Sequence, residues 1–285
     1  MRIQWFPGHM AKTLKQIKEN LRLVDFVIEV LDARIPRSSS NPELEKLIPA
    51  EKRIIALNKS DLADSKTTNL WIEYYKGKSI SGLAVDSLRG NGVKELLAEI
   101  SALGIGVMEK WKRRGRIKKQ IRVMIVGIPN VGKSSLINRI TRKGTARTGD
   151  KPGVTRGKQW IKVTDRIDLL DTPGILWPKF RDEEVGINLA ITGAIKEEII
   201  DREALAIKLI DRLMVIDPFI IGNYYGIENM DDTSYGILEQ VGSVRGCLLK
   251  GGKVDTLRAL GILLDDYRTG KLGKISLESP ESTWD

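Results

Sequence analysis

Continuous apolar runs alternate with amphipathic ones along most of this chain. Near the start, Met10, Leu14, Ile17 and Leu21 recur at helical spacing, with Lys12, Lys15, Lys18 and Arg22 between them. That period predicts an amphipathic helix with a basic outer face. "VDFVIEVLDAR" and "RIIALNKSD" then read as short strands ending in polar residues, with a helix, "NPELEKLI", between them. Apolar strand, helix, apolar strand is the pattern of a parallel sheet covered on both faces. "IRVMIVG" and "DRIDLLDTPG" predict two more such strands. From about Asp182 the runs turn helical: "VGINLAITGAIK", "REALAIKLIDRLMVI" and "VDTLRALGILLDDYRTGKL". The expectation is an α/β protein, a doubly wound and mainly parallel sheet over residues 1–180, followed by a small helical domain over residues 183–285. No internal repeat or low-complexity tract interrupts it.

A chain of 285 residues can bury the cores this division requires. No apolar run reaches the roughly 18 residues of a membrane span, and the start lacks the apolar core of a signal peptide. A cytoplasmic protein with no membrane partner is expected. Cys247 and His9 are each the sole residue of their kind, which excludes an intrachain disulfide and a Cys/His zinc site. Cys247 reads as a small buried apolar residue.

Charge adds a partner class. The net charge is +10, but residues 1–184 hold 36 Lys+Arg against 21 Asp+Glu, and residues 185–285 hold 11 against 16. The peak is "KWKRRGRIKKQIR", Lys110 to Arg122, with a second cluster from Arg139 through Lys162. A charged run alone is most simply a solvated linker. Within a basic excess of this size, and with Trp111 embedded in it, a polyanion such as RNA competes with that reading. DNA is not an expected partner.

"GIPNVGKS", Gly127 to Ser134, follows directly on the strand "IRVMIV" and fits G-x-x-x-x-G-K-[ST]. Gly127, Ile128, Pro129, Asn130, Val131 and Gly132 would turn backbone N–H groups around phosphate oxygens. The helix beginning at Ser134 and Ser135 adds its positive amino end. Lys133 can reach β- and γ-phosphates, and the Ser134 hydroxyl can ligate Mg²⁺. "DTPG" ends a later strand, where Asp171 can hold magnesium through a water and Gly174 can approach the γ-phosphate. Between them, Thr155 of "KPGVTRGKQ" offers magnesium a second hydroxyl from a loop.

The base is specified by "NKSD", Asn58, Lys59, Ser60 and Asp61. The Asp61 carboxylate can accept from both the ring N–H and the exocyclic amino group of guanine, a donor pair adenine does not present. Asn58 would tie down the base's other edge and the neighbouring loops, and the Lys59 stem would cover the base. In "VDSLRGNG", Ser87 is the expected backbone donor to the guanine carbonyl. The order is permuted: NKSD precedes the P-loop, which precedes DTPG. The same strands can still form the same sheet with its ends relocated. The segment after DTPG then runs straight into the helical region, so closure around a γ-phosphate would pull on it.

The opening "WFPGHM", the permuted order of NKSD, GIPNVGKS and DTPG, and the helical C-terminal region resemble the circularly permuted ribosome-assembly GTPases of the RbgA/YlqF type. The resemblance covers essentially the whole chain. It implies GTP hydrolysis to GDP in maturation of the large ribosomal subunit, contact with its rRNA, activation by the particle, and a monomer away from it. Ile175 stands where signalling GTPases commonly carry a water-orienting glutamine. The resemblance implies two substitutes, a K⁺ ion for which Asn130 matches the family's ligand, and His9. Three readings of His9 stand open: capping or packing the first helix beside Trp5 and Phe6, orienting the attacking water, or contacting RNA. Two other functions stand beside the GTPase reading. A GTP-gated RNA-binding scaffold would hydrolyse only as a slow reset, and an ATP-using P-loop enzyme is disfavoured by Asp61.

Overall fold

The computed structural model describes residues 8–115, 120–143, 160–170, 183–195, 201–230 and 233–281, with no side chain described at 8–14, 142 or 143. Helix α1 (Gly8–Leu21) leads into β1 (Phe26–Asp32), α2 (Pro36–Ser39), α3 (Pro42–Leu47), β2 (Arg53–Asn58), α4 (Ser65–Gly77), β3 (Ser81–Val85) and α5 (Val93–Arg113). Then follow β4 (Ile121–Val126), α6 (Lys133–Lys143), β5 (Trp160–Lys162) and β6 (Ile167–Leu170). Beyond these lie α7 (Glu183–Ile191), α8 (Arg202–Ile216), α9 (Ile220–Tyr225), α10 (Ser234–Val244) and α11 (Thr256–Arg268). The described strands form one six-stranded sheet in the order β3-β2-β1-β4-β6-β5, parallel except for the β5–β6 pair.

Every residue of β1 and β2 is buried, as continuous apolar runs in a doubly covered sheet must be. The two-residue period sorts their side chains. Ile28, Val30, Ala56, Val123 and Ile125 face Leu96 and Ile100 of α5 and Leu136 and Ile140 of α6. Val27, Met124 and Val126 face Ile17 of α1 and Leu44 of α3, while Leu31, Ile55 and Leu57 face Trp71 and Tyr75 of α4. Each fully buried side chain of this kind contributes about 1.5–3 kcal/mol. Glu29 breaks the pattern within β1: it is fully buried, and Arg53 neutralises it at 2.6 Å.

Caps set several helix starts where the sequence carries cap residues. Asn41 accepts from Glu43 N at 2.9 Å before α3, Asp64 from Thr67 N at 2.7 Å before α4, and Asp255 from Arg258 N at 3.0 Å before α11. The run "VGINLAITGAIK", expected to be helical throughout, is helical only to Ile191. Gly193 at φ 75° turns the chain, and Arg268 of α11 donates to the carbonyls of Ile191 and Ala190 at 2.7 and 2.5 Å.

The helical region packs onto the sheet region. Leu209, Leu213, Val241, Leu260 and Leu264 belong to the same buried cluster as Val30 and Ile125, and Cys247 is buried within it. After α11 the chain returns to the first half: Ile275 N donates to Leu62 O at 3.0 Å and Leu277 N to Arg34 O at 2.9 Å. Glu278 ends this return fully buried, taking Arg37 N at 2.8 Å, Asn188 Nδ2 at 2.8 Å, and the Ser38 hydroxyl.

Candidate functional site

Parallel pairing aligns Asp32 of β1 with Asn58 of β2, and Asn58 with Val85 of β3. The carboxyl ends of these strands therefore meet at one edge, and β4 ends there too. Strand order reverses between β1 and β4, which is where open α/β sheets leave a ligand crevice. Asn58 closes this edge. Its Nδ2 donates to Val131 O at 2.6 Å, and its Oδ1 accepts from Ser87 N at 3.1 Å and Ser87 Oγ at 2.6 Å. One buried amide thus binds three loops. Ser87 N, expected to donate to the guanine carbonyl, donates to Asn58 Oδ1 in this structure.

The segment from Gly127 to Lys133 has the required backbone. Gly127 sits at φ 152°, where a Cβ would approach Val30 O to 2.6 Å. Gly132 sits at φ 97°, where a Cβ would meet Asn58 Nδ2 at 2.2 Å. Neither position admits a side chain. Asn130 takes the left-handed conformation at φ 59° and donates Nδ2 to Gly193 O at 2.9 Å, joining this loop to the turn after α7. Ile128 and Val131 are buried beneath the loop, and Ser134 is exposed in the first turn of α6. Lys133 folds back and donates to Ile128 O at 2.6 Å. Burial pushes its ammonium down to about 8.

On the base side, Lys59 takes φ 58° and places Nζ 2.9 Å from Asp32 Oδ2. Ser60 N donates to Val85 O at 3.2 Å. Asp61 is mostly covered and meets Arg89 at 3.5 Å, a half-exposed pair that contributes little to stability. Asp86 shapes the loop after β3 by accepting from Leu88 N at 3.0 Å and Arg89 N at 2.9 Å. Asp32, Arg34, Asp86 and Arg89 were not singled out as site residues from the sequence. Their signal was present: charged residues at the carboxyl ends of apolar parallel strands, which is where such sheets place ligands.

Thr155, Asp171, Gly174, Ile175, Trp5 and Phe6 lie outside the described residues, and His9 is described only as a backbone position in α1. No group of three or more His, Cys, Asp or Glu that could hold a metal occurs among the described residues. Magnesium is commonly held by one or two protein oxygens, with phosphates and waters completing its shell. Ser134, exposed in the first turn of α6, has a hydroxyl that could serve as such an oxygen. Among the described residues, no helix is long and apolar enough to cross a membrane.

A glycine-rich turn between strand and helix, tied through Asn58 to an acidic loop from an earlier strand, defines a P-loop GTPase with its motifs in permuted order. A family described as 50S ribosome-binding GTPase matches residues 122–243. The chain belongs to the ribosome biogenesis GTPase A family. It is 45% identical over 281 residues to ribosome biogenesis GTPase A of Priestia megaterium, covering 98% of each chain. It is 44% identical to the Bacillus licheniformis protein of that name, covering 99% of each. The solved structure titled as GNP-bound YlqF from T. maritima superposes with a TM-score of 0.67 at 31% identity, over 95% of this chain and 100% of that one.

Proposed function

We propose that this protein binds GTP at the crevice between β1 and β4 and hydrolyses it to GDP and phosphate while acting in assembly of the large ribosomal subunit. The observation that supports the site most is Asn58, whose amide joins the base loop, the P-loop and the loop after β3 within 2.6–3.1 Å. In this reading Asp61 accepts both guanine donors, exchanging its contact with Arg89 for the base, and Lys59 covers the ring. Lys133 leaves the Ile128 carbonyl for the β- and γ-phosphates, whose charge favours its ammonium form. Ser134 and Thr155 would hold Mg²⁺ directly and Asp171 through a water, supplying charge stabilisation across the phosphates. Gly174 lets the chain approach the γ-phosphate. Asn130 keeps Oδ1 for K⁺ while its Nδ2 is tied to Gly193. His9 remains the candidate for orienting water in place of Ile175.

The rRNA partner is supported by the distribution of charge. A groove of about 500 Å³ lies at the amino ends of β1 and β4, the sheet edge opposite the nucleotide crevice, and Arg22, Lys52, Lys110, Arg114 and Arg122 line it beside Trp111. Such a surface suits a phosphate backbone with an aromatic wall for a base. The helical region offers a weaker basic face. Arg245 is committed to Asp266 at 2.9 Å and to the rings of Tyr224 and Tyr225. Lys250, Lys253 and Arg258 are exposed. We read residues 1–180 as the GTP-hydrolysing unit and 183–285 as the docking unit of a cytoplasmic monomer.

Replacing Asp61 by Asn tests the base assignment. Xanthine presents an acceptor where guanine presents its amino group, so the variant should lose GTP affinity by about a hundredfold and gain affinity for XTP. GTP and XTP affinities unchanged from the parent would remove Asp61 from the base site.

A further inference from the structure

The base loop is held from behind by groups outside the three nucleotide motifs. Asp32 ends β1 beside Asn58 in the register, and its carboxylate is buried. Arg34 grips it through Nε at 3.0 Å from Oδ1 and Nη2 at 2.8 Å from Oδ2. Lys59 Nζ reaches the same Oδ2 at 2.9 Å. Burial alone would raise the Asp32 carboxyl, but the two cations and their hydrogen bonds outweigh it and hold it well below the usual carboxylate range. Arg34 is itself only 1% exposed, stands 5.2 Å from the Tyr267 ring centre in α11, and is attracted to Asp61 as well as Asp32.

We propose that Asp32 and Arg34 are positioning residues for guanine recognition, a buried pair that fixes the Lys59 ammonium so that its stem is preset as a cover for the base. The inference rests on the reading that residues 58–61 hold the base. A lysine side chain left in water samples many rotamers, and ordering it on ligand binding costs affinity. Here the ordering is complete beforehand, because the carboxylate that takes Nζ is immobilised by a two-point Arg contact. Lys59 cannot be served equally by an exposed acid, whose pairing in water is weak and mobile. The balance of charge suits this role, since Asp32 neutralises one cation while Arg34 retains attraction for Asp61 across the loop. Tyr267, Leu277 N and Ile275 N brace this arrangement at Arg34 and Leu62, so the base loop rests on the end of the helical region.

The test is the nucleotide affinity and turnover of Asp32→Asn/Arg34→Met, which removes both buried charges together, measured beside Lys59→Met and the triple variant. Removing one charge alone would leave the other buried and unpaired, whereas apolar replacement of a whole pair is often tolerated. The expected result is at least a tenfold rise in GTP KM and GDP Kd, kcat within twofold, and less than a further twofold loss on adding Lys59→Met. A folded double variant that binds GDP within twofold of the parent overturns the proposal. So does a loss fully additive with Lys59→Met, which would mean the pair acts through the fold at large. If Lys59→Met alone leaves guanine nucleotide affinity unchanged, the base-loop reading fails and this inference with it. Should the double variant not fold, ¹⁵N NMR of lysine ammonium groups in the parent decides. A slowly exchanging signal lost in Lys59→Met and present with and without GDP supports the proposal, and its absence from either the free protein or the GDP complex overturns it.

Discussion

Lys133 is the residue whose state depends most on what occupies the site. Its ammonium, pushed down to about 8 by burial, is charged at neutral pH and loses its proton as pH rises beyond that value. Bound phosphates favour the charged form, so the complex keeps the proton longer than the free protein does. GDP affinity should therefore be flat below about pH 7 and weaken by up to about tenfold per unit above pH 8, with proton uptake visible by calorimetry in buffers of different ionisation enthalpy. Lys133→Ala should lower turnover by about 10²–10³-fold, read under saturating GTP. Gly132→Ala tests the packing of the same loop. Its Cβ would collide with Asn58 Nδ2, and its φ of 97° is strained for any other residue. A loss of at least about 2 kcal/mol in unfolding free energy is expected, with nucleotide binding lost alongside it.

Among elements, the return of the chain after α11 ties its two halves together. Glu278 accepts from Arg37 N, Ser38 N and Asn188 Nδ2, and Trp71 Nε1 donates to its carbonyl at 3.1 Å. Glu278→Ala would strand the Arg37 and Ser38 N–H groups at about 1–3 kcal/mol for each left unsatisfied, while Trp71 Nε1 keeps the backbone carbonyl and Asn188 Nδ2 keeps Ser38 Oγ. Thermal unfolding should register this as a clear drop in Tm. Burial raises the Glu278 carboxyl above its ordinary value despite these donors. The folded state then holds a proton that the unfolded state has released, and this residue's contribution weakens as pH rises from the ordinary carboxylate range through the raised value.

The elements also show which parts of the structure the sequence could reveal. β1, β2, β4 and β6 were legible because continuous apolar runs stop at polar residues, and α8 and α11 because their periods are helical. β3 was not, since "SGLAV" forms a half-covered edge with no strong run, and the three-residue β5 was too short to signal. The three loops of the site were legible as motifs. Their joining through Asn58, and the support of Lys59 by Asp32 and Arg34, were not, because they depend on β1–β2 register and on a segment more than 200 residues away.

At the scale of the molecule, two faces divide the work. The proposed nucleotide crevice lies at the carboxyl ends of the strands, and the basic groove lies at their amino ends. Lys110→Glu/Arg114→Glu should weaken rRNA fragment binding by about tenfold or more and reduce its salt dependence, while GDP affinity stays within about twofold. Nitrocellulose filter binding across a salt series measures both.

The most direct measurement is GTP turnover by the parent and by Lys133→Ala as purified large ribosomal subunits are added. Parent turnover should rise at least about tenfold to a plateau while the variant stays flat. Parent turnover unmoved by the particles, or a variant as active as the parent, would contradict the proposed function.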